Sequence, residues 1–146
     1  MRHFDDFQVG ERHDIPATYE MTESELVSFA KKWDPQPFHI ERDAAAKSIY
    51  GTLTACGTHI QAVVLFLAAR LPEETAVLGA LGYDEVRFHK PAKLNDTLRL
   101  VIECTETKPS ASKPDRGVVK NRHILMNQSD EVIFTQTTTL LIKRNI

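Results

Sequence analysis

The chain has 146 residues, 42% apolar and 26% charged, with a formal net charge of −2, which suits one domain with a sizeable core. Basic residues are scattered, which argues against a nucleic-acid or anionic-membrane surface. Two cysteines, Cys56 and Cys104, make neither a disulfide framework nor a metal site by themselves.

Met1 to Gly10 is polar and acidic and lacks the apolar stretch of a secretory signal. The longest apolar run, Ile60 to Leu71, is broken by Gln61 and Arg70 and is too short to span a bilayer. A cytoplasmic protein is expected. Met1 to Arg12 reads as an irregular lead-in. Ile15, Ala17 and Tyr19 alternate with Pro16, Thr18 and Glu20 and predict a first strand. Pro16 places it at a sheet edge or a bulge.

Thr22 to Glu25 reads T-E-S-E, a capping box. Leu26, Phe29, Ala30 and Trp33 follow at helical spacing, so a helix is predicted from Glu23 to Trp33. Pro35 disfavours its continuation through Asp34. Glu41 to Lys47, with three consecutive alanines, favours a second helix. Ser48 to Thr54 reads as a loop containing Gly51. Gly57 to Leu71 is apolar on nearly every face, which predicts a buried helix ending before Pro72.

Strand patterns fill the rest. They cover Ala76 to Phe88, Thr97 to Thr107, Val118 to Met126 and Val132 to Ile142. Lys108 to Gly117 reads as a mobile connector whose Lys108, Lys113 and Arg116 are solvated, and Asn127 to Asp130 as a turn. Consecutive strands with short turns are expected to pair antiparallel. The fold class is therefore α+β: one domain in which a curved antiparallel sheet wraps a long central helix.

The candidate chemistry begins with Asp34 and His39, a carboxylate and an imidazole separated by a stretch containing Pro35 and Pro37. Each proline fixes a backbone angle, so this segment can hold two side chains in place. Gly57, at the first turn of the buried helix, offers an N–H toward a developing oxyanion. Cys56 reads as a small residue filling a tight corner rather than a nucleophile. Cys104 reads as a core hydrophobe. His89 and His123 lie on strand patterns and read as structural or surface residues. No histidine has metal-ligand spacing and no nucleotide fingerprint occurs, so neither metal nor tightly bound cofactor is expected.

The segments W-D-P-Q-P-F-H-I-E-R-D-A-A (Trp33 to Ala45) and Y-G-T-L-T-A-C-G-T-H (Tyr50 to His59) resemble the MaoC-like acyl dehydratases, relatives of the (R)-specific enoyl-CoA hydratases. G-Y-D-E-V-R-F-H-K-P-A-K-L-N-D-T-L, Gly82 to Leu98, looks like the second recurring block of that family. The resemblance runs from about residue 5 to 143. It implies a hot-dog fold and a homodimer whose sheets join edge to edge. It also implies an acyl-thioester substrate, carried by CoA or a carrier protein. By position it assigns Asp34 and His39 to the water and Gly57 to the thioester oxygen. Gln36, Phe38, Cys56 and Thr58 would then touch substrate. The family's commoner asparagine is Gln36 here, and its histidine before the glycine is Cys56. Two other readings stand beside the hydratase: a hot-dog thioesterase, and a non-catalytic acyl-thioester-binding subunit of a heterodimeric dehydratase.

Overall fold

A computed structural model describes residues 1–146. In chain order it contains a 3-10 turn (Phe4–Asp6), β1 (Arg12–Glu20), α1 (Glu23–Trp33), α2 (Pro37–Ile40), α3 (Arg42–Lys47) and α4 (Gly57–Ala68). Four strands follow: β2 (Val77–Phe88), β3 (Thr97–Pro109), β4 (Arg116–Met126) and β5 (Val132–Lys143). All pair antiparallel in one sheet of order β1-β3-β4-β5-β2. The sheet curves round α4, the expected hot-dog arrangement.

The core forms where α4 meets the concave sheet face. Ile60, Val63, Val64 and Leu67 are buried against Leu98, Leu100, Ile102, Leu125, Ile133 and Phe134. Each such side chain stabilises by roughly 1.5–3 kcal/mol. Leu65 and Phe66 depart from the expected burial on every face, being 48% and 39% exposed. The Phe66 ring lies between the Tyr19 edge, 5.5 Å between centroids, and the Arg70 guanidinium, 3.3 Å from its centroid. The helix also ends at Ala68, short of Leu71, because Pro72 pushes the residue before it out of the helical region.

Strand neighbours depart from simple succession. β2 pairs with β5, not with the next strand β3, so β1 and β2 form the two sheet edges. The crossing segment 89–96 contains Pro91, is pinned by a bridge between Thr54 and Lys93, and turns at Asn95 with φ 70°. β1 is irregular between Asp14 and Thr18, the bulge that Pro16 suggests. The expected connector is largely hairpin: Lys108 faces Val118 and Pro109 faces Gly117. Arg116 belongs to β4, its guanidinium bonded to Asp115.

Half of the capping box forms. Thr22 Oγ1 accepts from the Glu25 N–H at 3.2 Å, but the Glu25 carboxylate accepts from the Tyr19 hydroxyl at 2.6 Å instead. Gly57 starts α4 against the end of β2. A Cβ there would lie 2.9 Å from Phe88 Cζ, so a side chain at this position would have to push the Phe88 ring aside.

A polar chain interrupts the concave face. Gln61 Nε2 donates to Gln136 Oε1 at 3.2 Å, Gln136 Nε2 donates to Thr138 Oγ1 at 3.4 Å, and Thr138 Oγ1 meets His123 Nδ1 at 3.0 Å. Burial pushes the His123 pKa down from 6.5 to about 4. The folded protein thus refuses a proton that the unfolded chain accepts. Stability from this group is full above about pH 6.5 and is lost as pH falls toward 4.

Two measurements check these statements. Urea unfolding should show a loss of about 2–3 kcal/mol between pH 7 and pH 4.5 from His123, and His123→Gln should flatten that slope. Gly57→Ala should cost about 1 kcal/mol or more in the native background and much less beside Phe88→Ala, because the collision partner is then gone.

Candidate active site

α1 ends at Asp34, whose N–H closes the last turn on Ala30 O at 2.9 Å. Gln36 N–H returns to Asp34 O at 2.8 Å. Pro37 then takes the first position of α2, where its fixed φ suits a helix and its missing N–H costs nothing. This short turn, unforeseen in the residue pattern, swings His39 inward to 7% exposure.

His39 Nδ1 lies 2.7 Å from the Thr54 carbonyl oxygen. A carbonyl only accepts, so Nδ1 carries the hydrogen. In the neutral ring Nε2 then presents its lone pair, 3.7 Å from Asp34 Oδ2. That is too long for a direct hydrogen bond and suits one water donating to both acceptors. The Asp34 side chain is 38% exposed, which leaves it open to such a water.

A cavity of about 420 Å³ opens beside this pair. His39, Phe38, Tyr50, Gly57, Phe88 and His89 are among its lining residues. The N–H groups of Gly57 and Thr58 precede the first intrahelical bond of α4, from Ile60 N–H to Cys56 O. Both carry the partial positive charge of a helix start.

The predicted site residues divide. Asp34, His39 and Gly57 gather round one opening, with Asp34 reaching it through His39 rather than lining it. Phe38 lines the cavity, its ring centroid 4.3 Å from that of His39. Gln36 is exposed and caps α2 with its backbone alone. Cys56 is 2% exposed and lies outside the lining, its Sγ 3.4 Å from Thr58 Oγ1. Cys56 and Thr58 therefore shape the helix start rather than the cavity wall.

Three wall residues escaped sequence reading. Tyr50 and Thr54 lie in the family-like segment Tyr50 to His59 but received no role there, and Thr54 acts through its carbonyl, which no residue type announces. His89 has the appearance of a strand residue, yet it lines the cavity and its Nε2 lies 2.8 Å from Thr135 Oγ1. Behind the wall, His59 is 2% exposed and stacks on Phe29 at 4.4 Å between ring centroids. Tyr19 donates to Glu25, so the His59 Nε2–H donates to Tyr19 at 3.0 Å. Burial lowers the His59 pKa, opposed by the charge of Glu25. No group of three or more His, Cys, Asp or Glu side chains converges. No helix is long and apolar enough to cross a membrane.

The chain is similar to a MaoC-like dehydratase of Rhodospirillum rubrum, 30% identical, with a TM-score of 0.91 over 100% of this chain and 99% of that one. An R-hydratase of Pseudomonas aeruginosa shares the fold, at 23% identity and TM-score 0.79, over 98% of this chain and 86% of that one. A double-hotdog protein of Mycobacterium tuberculosis matches at 16% identity and TM-score 0.82, over 99% of this chain and 44% of that one. Among curated proteins, the uncharacterized protein YdeM of Bacillus subtilis is 22% identical over 96% of this chain and 98% of its own length. The MaoC-like domain model matches residues 6–127, and with a site pair and a fold of this form the chain belongs to the MaoC-like dehydratase family.

Proposed function

We propose that this chain reversibly hydrates a trans-2-enoyl thioester, carried by CoA or an acyl carrier, to the 3-hydroxyacyl thioester. The observation that supports it most is the Asp34–His39 pair, with the His39 tautomer set by Thr54. One water held by both acceptors keeps a lone pair free to attack. As its oxygen bonds to the β-carbon, the double-bond electrons move to the thioester oxygen. Asp34 takes the water's proton, and His39 serves its transfer to the α-carbon, which restores the site. Such acid–base help is worth about 10²–10⁴ in rate. The Gly57 N–H steadies the enolate oxygen, a contribution of about 3 kcal/mol for one good donor. No cofactor enters the reaction.

A thioesterase reading would want a carboxylate at the start of α4, but that turn has none and no Asp or Glu lines the cavity. A binding subunit is the other reading, motivated by Cys56 in place of the family's histidine. We also assign a homodimer formed through β2. That edge strand exposes Leu78, Leu81, Tyr83 and Phe88, an apolar row a lone edge strand would not keep in water.

Asp34→Asn should lower crotonyl-CoA hydration by about 10²-fold or more while near-UV circular dichroism stays native. Unchanged turnover would remove Asp34 from the mechanism, thiol release would favour a thioesterase, and binding without turnover a partner subunit. Leu81→Lys should shift sedimentation from dimer toward monomer, and a native chain that sediments as monomer would overturn the assembly.

A further inference from the structure

We infer that His59 is a positioning residue for the reaction proposed above: it fastens α1 to the first turn of α4 and so sets the separation between the Asp34 carboxylate and the Gly57 N–H. This role rests on the hydration reading. His59 itself lies outside the lining of the cavity beside His39, so it acts through other residues and not on substrate.

His59 is 2% exposed, and its Nδ1 is the one buried side-chain nitrogen or oxygen without a hydrogen-bond partner. Buried polar atoms are ordinarily paired. Leucine or phenylalanine would fill the same space and leave no acceptor unpaired. What an imidazole adds lies at its other nitrogen. The Tyr19 hydroxyl donates to Glu25 Oε2 at 2.6 Å. Burial, and then that bond, raise the Tyr19 pKa, so the hydroxyl keeps its proton and its oxygen accepts from His59 Nε2–H at 3.0 Å. Nδ1 is then a bare lone pair. Burial keeps the ring neutral, the Glu25 charge opposes this, and His39 adds to it. The tautomer is the opposite of that of His39, which carries its hydrogen on Nδ1.

The ring face makes the second contact. It stacks on Phe29 of α1 with 4.4 Å between centroids and 8° between planes. One α4 side chain therefore meets α1 twice, directly at Phe29 and through Tyr19 at Glu25 in its first turn. Asp34 caps the end of that same helix, and Gly57 stands two positions before His59. The reaction needs both ends at once. The water held by Asp34 and His39 attacks the β-carbon while the Gly57 N–H holds the thioester oxygen of the same molecule. A misplacement of about 1 Å between such groups costs about 10²-fold in rate. Imidazole supplies a donor for Tyr19 and a flat ring for Phe29, and its unpaired Nδ1 follows from that double use.

The test compares His59→Phe, which keeps a ring and loses the donor, with Tyr19→Phe, which keeps the donor and loses its acceptor. Each should lower kcat for crotonyl-CoA about tenfold and leave KM within about twofold. The double variant should fall no further than either single one, because both remove the same link. In ¹⁵N-labelled native protein the His59 imidazole should report as Nε2–H and that of His39 as Nδ1–H. Tyr19→Phe should move the amide signals of both Asp34 and Gly57. A merely structural His59 would lower the urea midpoint and leave kcat of the folded protein unchanged, which would overturn the proposal. Additive losses in the double variant, or unmoved Asp34 and Gly57 signals in folded Tyr19→Phe, would overturn it as well. A native chain that hydrates no enoyl thioester would sink the hydration reading by itself, and the amide and imidazole signals would then decide whether His59 ties the two ends together.

Discussion

The structure depends on one apolar face of one helix. Ile60, Val63, Val64 and Leu67 of α4 recur at the i, i+3, i+4, i+7 spacing of a stripe about 100° wide, and that stripe is the surface the sheet buries. A twisted antiparallel sheet curves by its nature and wraps them. The edge position of β2 belongs to the same arrangement. With β3, β4 and β5 forming consecutive hairpins, the strand that precedes them is left to the outer side of β5. That position delivers Phe88 to the first turn of α4 and His89 to the cavity wall.

The site is built at the helix end where backbone donors are unpaired. Nothing in α4 itself supplies an acid or a base. Those come from the segment between α1 and α3, where the bond from His39 Nδ1 to Thr54 O orients the imidazole. Thr54 is held in turn by its bridge to Lys93, and Lys93 N–H donates to Asp96 Oδ2 at 2.9 Å. Asp96 is 7% exposed and also accepts from Gln128 at 3.0 Å. The second sequence block thus supports the first from behind while its Phe88 and His89 line the cavity: Asp96 fixes the turn at Lys93, Lys93 bridges to Thr54, and the Thr54 carbonyl orients the His39 imidazole. This gives a physical reason for two motifs far apart in sequence to belong to one site.

Much of this was legible in the residues, for local reasons. Thr22 and the run from Leu26 to Trp33 specify α1 because capping and 3.6-residue spacing are properties of neighbours. Asp34, His39 and Gly57 could be singled out because a carboxylate, an imidazole and a missing side chain are announced by residue type, and the structure brings them to one opening. What escaped is non-local or backbone-borne. Thr54 orients His39 by its carbonyl, Glu25 gives up its capping role for a tyrosine on another element, and β2 takes a partner from the far end of the chain. The turn at Pro37–Ile40 was hidden because a four-residue helix has no periodicity to show.

The two departures from the common family pattern weigh differently once they are placed. Gln36 caps α2 with its backbone while its side chain stays in solvent, so the extra methylene relative to asparagine has nothing to displace. Cys56 stands directly before the helix start that holds the Gly57 N–H. It is 2% exposed, and its Sγ meets Thr58 Oγ1 at 3.4 Å. The small thiol fills space beside the backbone of Gly57, and the two imidazoles that line the cavity are those of His39 and His89. Cys56 therefore leaves the Gly57 N–H free of intrahelical bonding at the first turn of α4.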